Sequence, residues 1–320
     1  MEEALRRGMD VWAAVRKTTS RRYLQDSRIH FIELDFDDPQ QVSEALSQEL
    51  NTIEGRKWDY VVHNLGATKC TNFRDFERIN YGYVKTLADT LIALDAVPQK
   101  FLLMSSLSAM GVGDEKGYTP FKETDIPMPN TQYGVSKIKA EQYLKMLAGF
   151  PYVVFRCTGV YGPREKDYFM MIKSIRNGVD ASVGMKEQRL SFLYVKDLAC
   201  AVCDALERSA TAKTYLIAGE GTYTQKEFRE IVMEVLGKRV VFPLVLPLWA
   251  LYVVSVVAEW IGIVKGTPST FNRDKYKIMS QRNWACDITA AREGFGFSPR
   301  YSLKDGVKES IAWYKENKWL

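Results

Sequence analysis

Short apolar runs alternate with helix-like segments along most of this chain. Six of these runs are typical of buried strands, and they lie at 10–15, 28–33, 59–63, 100–104, 152–156 and 214–218. Segments with helical periodicity separate them, among them Val195–Arg208. Alternation of this kind predicts an α/β fold with a doubly wound parallel sheet, in which ligands bind at the carboxyl ends of the strands.

The opening residues, from Met1 to Gly8, have the pattern of a helix end that Gly8 closes, directly before the strand at 10–15. A fold that binds a dinucleotide needs an earlier strand and a glycine-rich turn, whose N–H groups meet the pyrophosphate. The sequence shows neither, so we interpret it as beginning inside the first helix, through a late start or a truncation. We expect two strands to lack a ladder partner and cofactor to bind weakly.

The most apolar stretch of the chain lies at 243–264. A membrane span needs about 20 apolar residues, and Pro247 and Glu259 interrupt this stretch. We therefore do not expect a membrane span. A buried helix, or a lid over a substrate site, is the favoured interpretation, and membrane contact is the alternative.

Composition narrows the class of protein. The 320 residues are 46% hydrophobic and 26% charged, as in ordinary soluble proteins, and the net charge of +5 is spread along the chain rather than clustered. We therefore expect no nucleic-acid partner. Five cysteines without a signal-like start indicate a reduced, cytoplasmic setting. Cys200 and Cys203 lie in a helical run without a second pair or a nearby His, so we expect packing there and no metal site.

Tyr133 and Lys137 are the strongest candidates for chemistry. Residues at i and i+4 share one helix face, so the phenol and the ammonium can point into one cleft. A Tyr with its ordinary pKa of about 10 is a poor base at neutral pH, and a nearby cation would lower that pKa. The sequence thus predicts an acidified phenol. On these two residues alone, a solvated helix with a chance Tyr is the alternative.

The residues around Tyr133 and Lys137 resemble the motifs of a known family. A buried strand runs into Ser105-Ser106-Leu-Ser-Ala-Met-Gly111, and Thr131-Gln132 introduces the Tyr helix. These motifs, with Val-Tyr-Gly-Pro at 160–163, resemble the extended short-chain dehydrogenase/reductase family, which includes NAD-dependent epimerases and dehydratases. The resemblance implies an enzyme in which Ser106 polarises a carbonyl, Tyr133 moves a proton and Lys137 also holds the nicotinamide ribose. Met110 replaces the family's usual Tyr.

The resemblance also implies a Rossmann-type cofactor site. Arg16 follows the strand at 10–15, where a cation suits the 2′-phosphate of NADP, so NADP is favoured over NAD. Each of three residues has an alternative to a cofactor role. Arg16 can be an ordinary surface cation and Asp35 a solvated acid in a loop. Asn80 can be a polar residue at the start of a helix. The residues that the resemblance places at the cofactor site are Arg16, Asp35, Phe36, Leu65, Gly66, Ala67, Asn80, Ser105, Tyr133, Lys137, Cys157 and Val160. Cys157 stands where the family has Pro.

The family pattern predicts a dinucleotide-binding domain at 1–165, to which 192–218 returns. A smaller, mostly helical substrate lobe comprises 166–191 and 219–320. Leu107-Ser108 replaces the Asp-Glu pair of the 4,6-dehydratases, and Arg189 lies one residue from the register of the diphosphate clamp of the nucleotide-sugar enzymes.

The C-terminal third resembles the 3β-hydroxysteroid dehydrogenase and dihydroflavonol reductase-like branch. We therefore expect hydride transfer at a secondary alcohol or ketone of a partly apolar small molecule. A nucleotide-sugar epimerase is the first alternative. A non-catalytic cofactor-sensing protein is the second, because the glycine-rich turn is missing. Members of the family are often dimers, so a homodimer is a further expectation.

Overall fold

A computed structural model describes residues 1–267, 269 and 271–320 of the protein. Its helices are α1 (Glu2–Arg6), α2 (Pro39–Leu50), α3 (Phe73–Glu77), α4 (Tyr83–Ala93), α5 (Gln132–Met146), α6 (Asp167–Arg176), α7 (Val195–Arg208), α8 (Gln225–Leu236), α9 (Leu248–Lys265), α10 (Arg273–Ser280), α11 (Thr289–Phe295) and α12 (Leu303–Glu316). Its strands are β1 (Val11–Val15), β2 (Ile29–Glu33), β3 (Tyr60–His63), β4 (Lys100–Ser106), β5 (Tyr152–Cys157), β6 (Gly159–Tyr161), β7 (Val179–Val183), β8 (Phe192–Tyr194), β9 (Lys213–Ile217) and β10 (Phe242–Leu246).

The predicted parallel sheet is present, and every predicted strand has its counterpart. Four strands pair in the order β3-β4-β5-β9, and β1 pairs separately with β2. All of these pairs are parallel. The short pairs β6-β8 and β7-β10 were not predicted, and β10 forms from the start of the apolar stretch at 243–264. The α/β fold class is thus confirmed.

The predicted strands form two separate parallel sheets. Among the described residues, β1 and β2 pair only with each other, and the ladder of β3 runs only to β4. The expectation that two strands lack a ladder partner stays a prediction. Helix α1, which ends before Gly8, is held against α7 by an ion pair between Arg7 and Asp204 at 2.9 Å.

Apolar cores lie on both faces of the sheet and in the C-terminal part of the chain. One core joins the sheet to α2, α4 and α5 through side chains such as Val84, Leu91 and Phe101. The opposite core joins it to α7 and α11. A third core packs α6, α8 and α12 around β8. The predicted domain boundaries stay a prediction.

Helix α9 departs from the expectation of a buried helix. By length and composition it could cross a membrane, yet only 17% of it is buried. Its buried residues form one narrow stripe, Leu251, Ser255, Glu259 and Gly262, and its main neighbour is α10. The prediction of burial was wrong, because an apolar run does not reveal whether other elements cover it.

Candidate active site

The turn after β4 brings Ser106 beside the start of α5. Ser106 ends β4, opposite Cys157 of β5, and its hydroxyl accepts a hydrogen bond from the N–H of Ser108 at 3.2 Å. Gly134 allows α5 to approach this turn, since a Cβ there would lie 2.3 Å from the carbonyl oxygen of Ser108. The Thr131 hydroxyl caps the helix by accepting from the N–H of Gly134. This close approach brings Tyr133 to Ser106.

The phenol of Tyr133 is desolvated and lies close to the side chain of Ser106. Burial raises the pKa of Tyr133 to about 12, and the interaction with Ser106 opposes that rise. The expected lowering of this pKa by Lys137 was therefore wrong for this structure. The ammonium of Lys137 instead donates to the backbone oxygen of Met104 at 2.9 Å and lies 5.9 Å from the centroid of the Tyr133 ring.

Lys137 is a buried cation beneath the site. It is 5% exposed, and burial lowers its pKa to about 8. Its charge, together with burial, lowers the pKa of His63 to about 3, so that imidazole is neutral. Gly66 lies against the ammonium, since a Cβ there would be 3.0 Å from its Nζ atom. A small residue at position 66 thus leaves room above Lys137.

Asn80 connects the turn after β3 with α5. It lies in a π-helical turn, Arg78–Gly82, and is fully buried. Its amide oxygen accepts from the N–H of Ala67 at 2.8 Å, and its amide nitrogen donates to the Ala67 carbonyl and to the Ser136 hydroxyl, both at 3.0 Å. The Ser136 hydroxyl in turn donates to the carbonyl of Tyr133 at 2.7 Å. Gly66, Ala67 and Asn80 are therefore brought together with Tyr133 and Lys137, and Leu65 is the exposed neighbour in the same turn.

A buried ion pair supports the floor of the site. Glu141 and Arg156 are 0% and 2% exposed, and their closest contact is 2.7 Å. The hydroxyl of Ser105 donates to Glu141 at 2.6 Å. Arg156 also contacts the sulfur of Met110, the residue that replaces the family's Tyr. Ser105 thus has a scaffold position, one residue before Ser106.

Two further predicted residues line the end of β5. Cys157 is buried, and burial raises the pKa of its thiol to about 12, so it is a neutral thiol beside Lys137. Val160 lies in β6 and is half-buried. Cys157 ends β5, the strand that neighbours β4, and Val160 follows β5, on the same edge of the sheet as Ser106.

The residues predicted for the adenosine end lie at a separate edge, after β1 and β2. Arg16 and Asp35 are exposed, and Phe36 stacks on Tyr83 with ring centroids 5.3 Å apart. Asp37 is held by the guanidinium of Arg78 and by the Tyr83 hydroxyl, which lower its pKa, and Arg16 adds a smaller effect.

The structure adds a residue that sequence reasoning missed. Asp274 of α10 is buried, and its carboxylate accepts a hydrogen bond from the N–H of Tyr133 at 3.1 Å. An element from the C-terminal part of the chain therefore holds the first turn of α5. A cleft of about 380 Å³ opens beside this contact, and its lining is Phe73, Gln132, Tyr252, Arg273, Asp274, Tyr276 and Lys277. No local pattern signals Asp274, because its partner is distant in sequence.

A second missed contact joins the same parts of the chain. Asp167, at the start of α6, accepts from Lys69 at 2.9 Å and from Lys275 of α10 at 2.7 Å. Lys69 follows β3, so this ion network connects the turn near the catalytic centre with α6 and α10.

These residues fit the nicotinamide end of a dinucleotide. The buried ammonium of Lys137, the small turn at Gly66 and the hydroxyls of Ser106 and Tyr133 offer the donors and the close backbone approach that a ribose and a carboxamide need. Within the described ranges, no glycine-rich turn between a strand and a helix offers its N–H groups to a pyrophosphate. The fit therefore covers one half of the cofactor.

Comparison with known proteins agrees with the family resemblance found in the sequence. The family model described as "NAD dependent epimerase/dehydratase family" matches residues 1–218. A UDP-glucose 4-epimerase of Vibrio cholerae is 24% identical over 225 residues, covering 68% of this chain and 64% of that protein. A dTDP-D-glucose 4,6-dehydratase of Homo sapiens is 25% identical over 278 residues, covering 83% of this chain and 71% of that protein.

Solved structures show the same fold. The UDP-glucose 4-epimerase of Thermotoga maritima, crystallised with UDP-glucose, superimposes with a TM-score of 0.77 at 20% sequence identity. The match covers 99% of this chain and 94% of the epimerase chain. At this identity the likeness establishes the Rossmann-type architecture.

Proposed function

Since this chain belongs to the NAD-dependent epimerase/dehydratase family, we propose that it transfers hydride between a nicotinamide dinucleotide and a secondary alcohol or ketone. Ser106, Tyr133 and Lys137 are the residues proposed to carry the reaction. The observation that supports this most directly is that the Tyr133 phenol lies close to the Ser106 side chain, with the buried Lys137 ammonium 5.9 Å from the centroid of the Tyr133 ring.

Each residue has a role that its surroundings suit. Bound NAD(P) supplies the hydride donor or acceptor carbon. The hydroxyl of Ser106 holds and polarises the substrate oxygen. Because its pKa is about 12, the Tyr133 phenol is protonated at neutral pH and can donate a proton to that oxygen as a carbonyl becomes an alcohol. Lys137 places a positive charge beneath them and binds the ribose.

The cleft beside Tyr133 supports a partly apolar substrate. Phe73, Tyr252 and Tyr276 supply aromatic surface. Of the cations in this cleft, Arg273 is paired with Glu259 at 2.8 Å, and the Lys277 ammonium donates to the carbonyl of Asn130. Aromatic surface with partly compensated charge suits a ring-containing alcohol or ketone that has few anionic groups.

A nucleotide-sugar 4-epimerase is the second candidate, because the similar proteins named above include two UDP-glucose 4-epimerases. The residue that such a reaction would use as a diphosphate clamp, Arg189, lies 2.7 Å from Glu187 in a partly exposed ion pair. An exposed ion pair of this kind is weak, so it leaves Arg189 able to bind a diphosphate. A cofactor-sensing protein without turnover is the third.

We further propose that NADP is preferred and that the enzyme works in the cytoplasm. Arg16 is exposed after β1, where a 2′-phosphate would lie. The neighbouring acid Asp37 is already engaged by Arg78 and Tyr83, which leaves Arg16 available to an anionic ligand.

A substrate screen with both cofactors distinguishes these candidates. Sterols, flavanonols and UDP-sugars are each incubated with the purified protein, and the reduced nicotinamide and the sugar products are measured. Net oxidation or reduction of an apolar alcohol or ketone supports the proposal, whereas interconversion of UDP-glucose and UDP-galactose without net reduction supports the epimerase.

Tyr133→Phe is the matched variant for this screen. We expect it to lower turnover by about 10²–10⁴-fold, the usual contribution of a positioned proton donor, with cofactor affinity largely kept. Near-normal turnover in this variant would refute the assigned role. If the wild type and the variant both bind cofactor but turn over no substrate, the result would favour a cofactor-sensing protein.

A further inference from the structure

Helix α9 has its polar residues inside and its apolar residues outside, the reverse of a helix that faces water. Ser255 and Glu259 are buried, and Glu259 binds Arg273 of α10. The Ser255 hydroxyl donates to the Tyr252 carbonyl within the helix. The remaining faces carry large apolar side chains in contact with solvent, so the helix is arranged for apolar surroundings.

The exposed apolar residues form one continuous surface with the preceding strand. We call this the apolar surface, and its members are Val240, Phe242, Leu244, Val245, Leu248, Trp249, Tyr252, Val253, Val254, Val256, Val257, Trp260, Ile261, Ile263 and Val264. Met185, 93% exposed, adjoins it, because Gly184 packs against Leu248 and bonds to the carbonyl of Leu246. Such a large exposed apolar patch marks an interaction site.

Cations and tryptophans border this surface. Arg239 precedes it, Lys265 ends it and Lys186 follows Met185, and all three are exposed. Trp249 and Trp260 are 73% and 65% exposed near the two ends of α9. Tryptophan and basic residues around an apolar helix are the composition that suits the boundary between lipid headgroups and acyl chains.

The shape of the surface also favours lipid over a protein partner. The exposed residues surround most of the circumference of α9, so the helix is convex. A protein partner would need a groove that fits around it, whereas a bilayer accepts a convex apolar helix without a complementary shape. The net charge of +5 attracts the protein to anionic lipid.

We propose that the apolar surface docks this protein on an anionic bilayer, with α9 lying in the interface. Docking in this way would place the mouth of the cleft beside the Asp274–Tyr133 contact at the lipid surface. Tyr252 belongs both to the apolar surface and to the cleft lining, and its ring packs on Tyr276 with centroids 5.4 Å apart. A partly apolar substrate could then enter directly from the membrane.

Vesicle flotation tests the docking independently of any activity. The wild-type chain is mixed with vesicles of phosphatidylcholine alone or of phosphatidylcholine with phosphatidylglycerol. We expect it to float with the vesicles, more completely when phosphatidylglycerol is present, and its tryptophan emission to shift to shorter wavelength. Remaining unbound with both compositions would overturn the proposal.

The double variant Val253→Asp with Val257→Asp should lower the vesicle partition coefficient at least tenfold. Both side chains are at least half exposed, so the fold should persist, as circular dichroism can verify. The matched control is Met146→Asp, which changes an 81% exposed side chain at the far end of α5 and should float like the wild type. If the wild type instead forms a dimer that the double variant dissociates, and neither floats, a second copy rather than lipid covers the surface.

Discussion

Replacement of Lys137 by Met should stabilise the fold at pH 7 while it removes activity. Burial lowers the Lys137 pKa from 10.5 to about 8, and at about 1.36 kcal/mol per pKa unit the charged form costs about 3 kcal/mol in the folded protein. Met fills a similar volume without charge. The variant loses the hydrogen bond to Met104, which costs about 1 kcal/mol. We therefore expect a gain of about 2 kcal/mol in the free energy of unfolding at pH 7.

The stability difference between Lys137→Met and the wild type should depend on pH. Between about pH 8 and pH 10.5 the unfolded chain keeps a proton on Lys137 that the folded protein has lost. The stability of the wild type therefore rises with pH across this window, by up to about 3 kcal/mol, and the Met variant lacks this rise. The advantage of Lys137→Met should thus shrink steadily as pH rises and disappear by about pH 10.

Urea unfolding of both proteins at pH 7 and at about pH 9.5 measures this difference. Lys139→Met is the control on the same helix, because Lys139 is partly exposed and pairs with Glu77 at the surface. It should change stability little and equally at both pH values. A Lys137→Met protein that is less stable than wild type at pH 7, or a difference that does not vary with pH, would refute the reasoning.

Two further predictions concern the cofactor and the buried ion pair. Arg16→Ala should raise the Kd of NADP about tenfold and leave the Kd of NAD nearly unchanged, as measured by fluorescence titration. Arg22→Ala is the control. Equal losses of affinity for both cofactors would remove the 2′-phosphate assignment. Arg156→Met should lower the free energy of unfolding by about 3–5 kcal/mol, because Glu141 is left buried without its partner. Adding Glu141→Leu should restore most of that loss, and no recovery would contradict the ion-pair explanation.

Local patterns were sufficient for the fold and for the placement of Tyr133 and Lys137 on one helix. Buried strands require continuous apolar runs, so the runs at 100–104 and 152–156 predicted β4 and β5 within one or two residues. Tyr133 and Lys137 lie one helical turn apart, and the helix alone places them on the same face. Asn80 and Ser106 were found because they occupy fixed places in a family motif.

Tertiary structure decided the properties that depend on what covers a residue. Desolvation by distant segments raises the Tyr133 pKa, although sequence spacing beside Lys137 had predicted the opposite. Asp274 reaches the N–H of Tyr133 only because α10 folds back onto α5.

Helix α9 shows most clearly that sequence patterns do not determine burial. Its residues predicted an apolar helix, but the fold left that helix largely uncovered, because its packing partner meets only one narrow face. Periodicity along a chain reports which residues are apolar, whereas burial depends on whether another element, far away in sequence, lies against them.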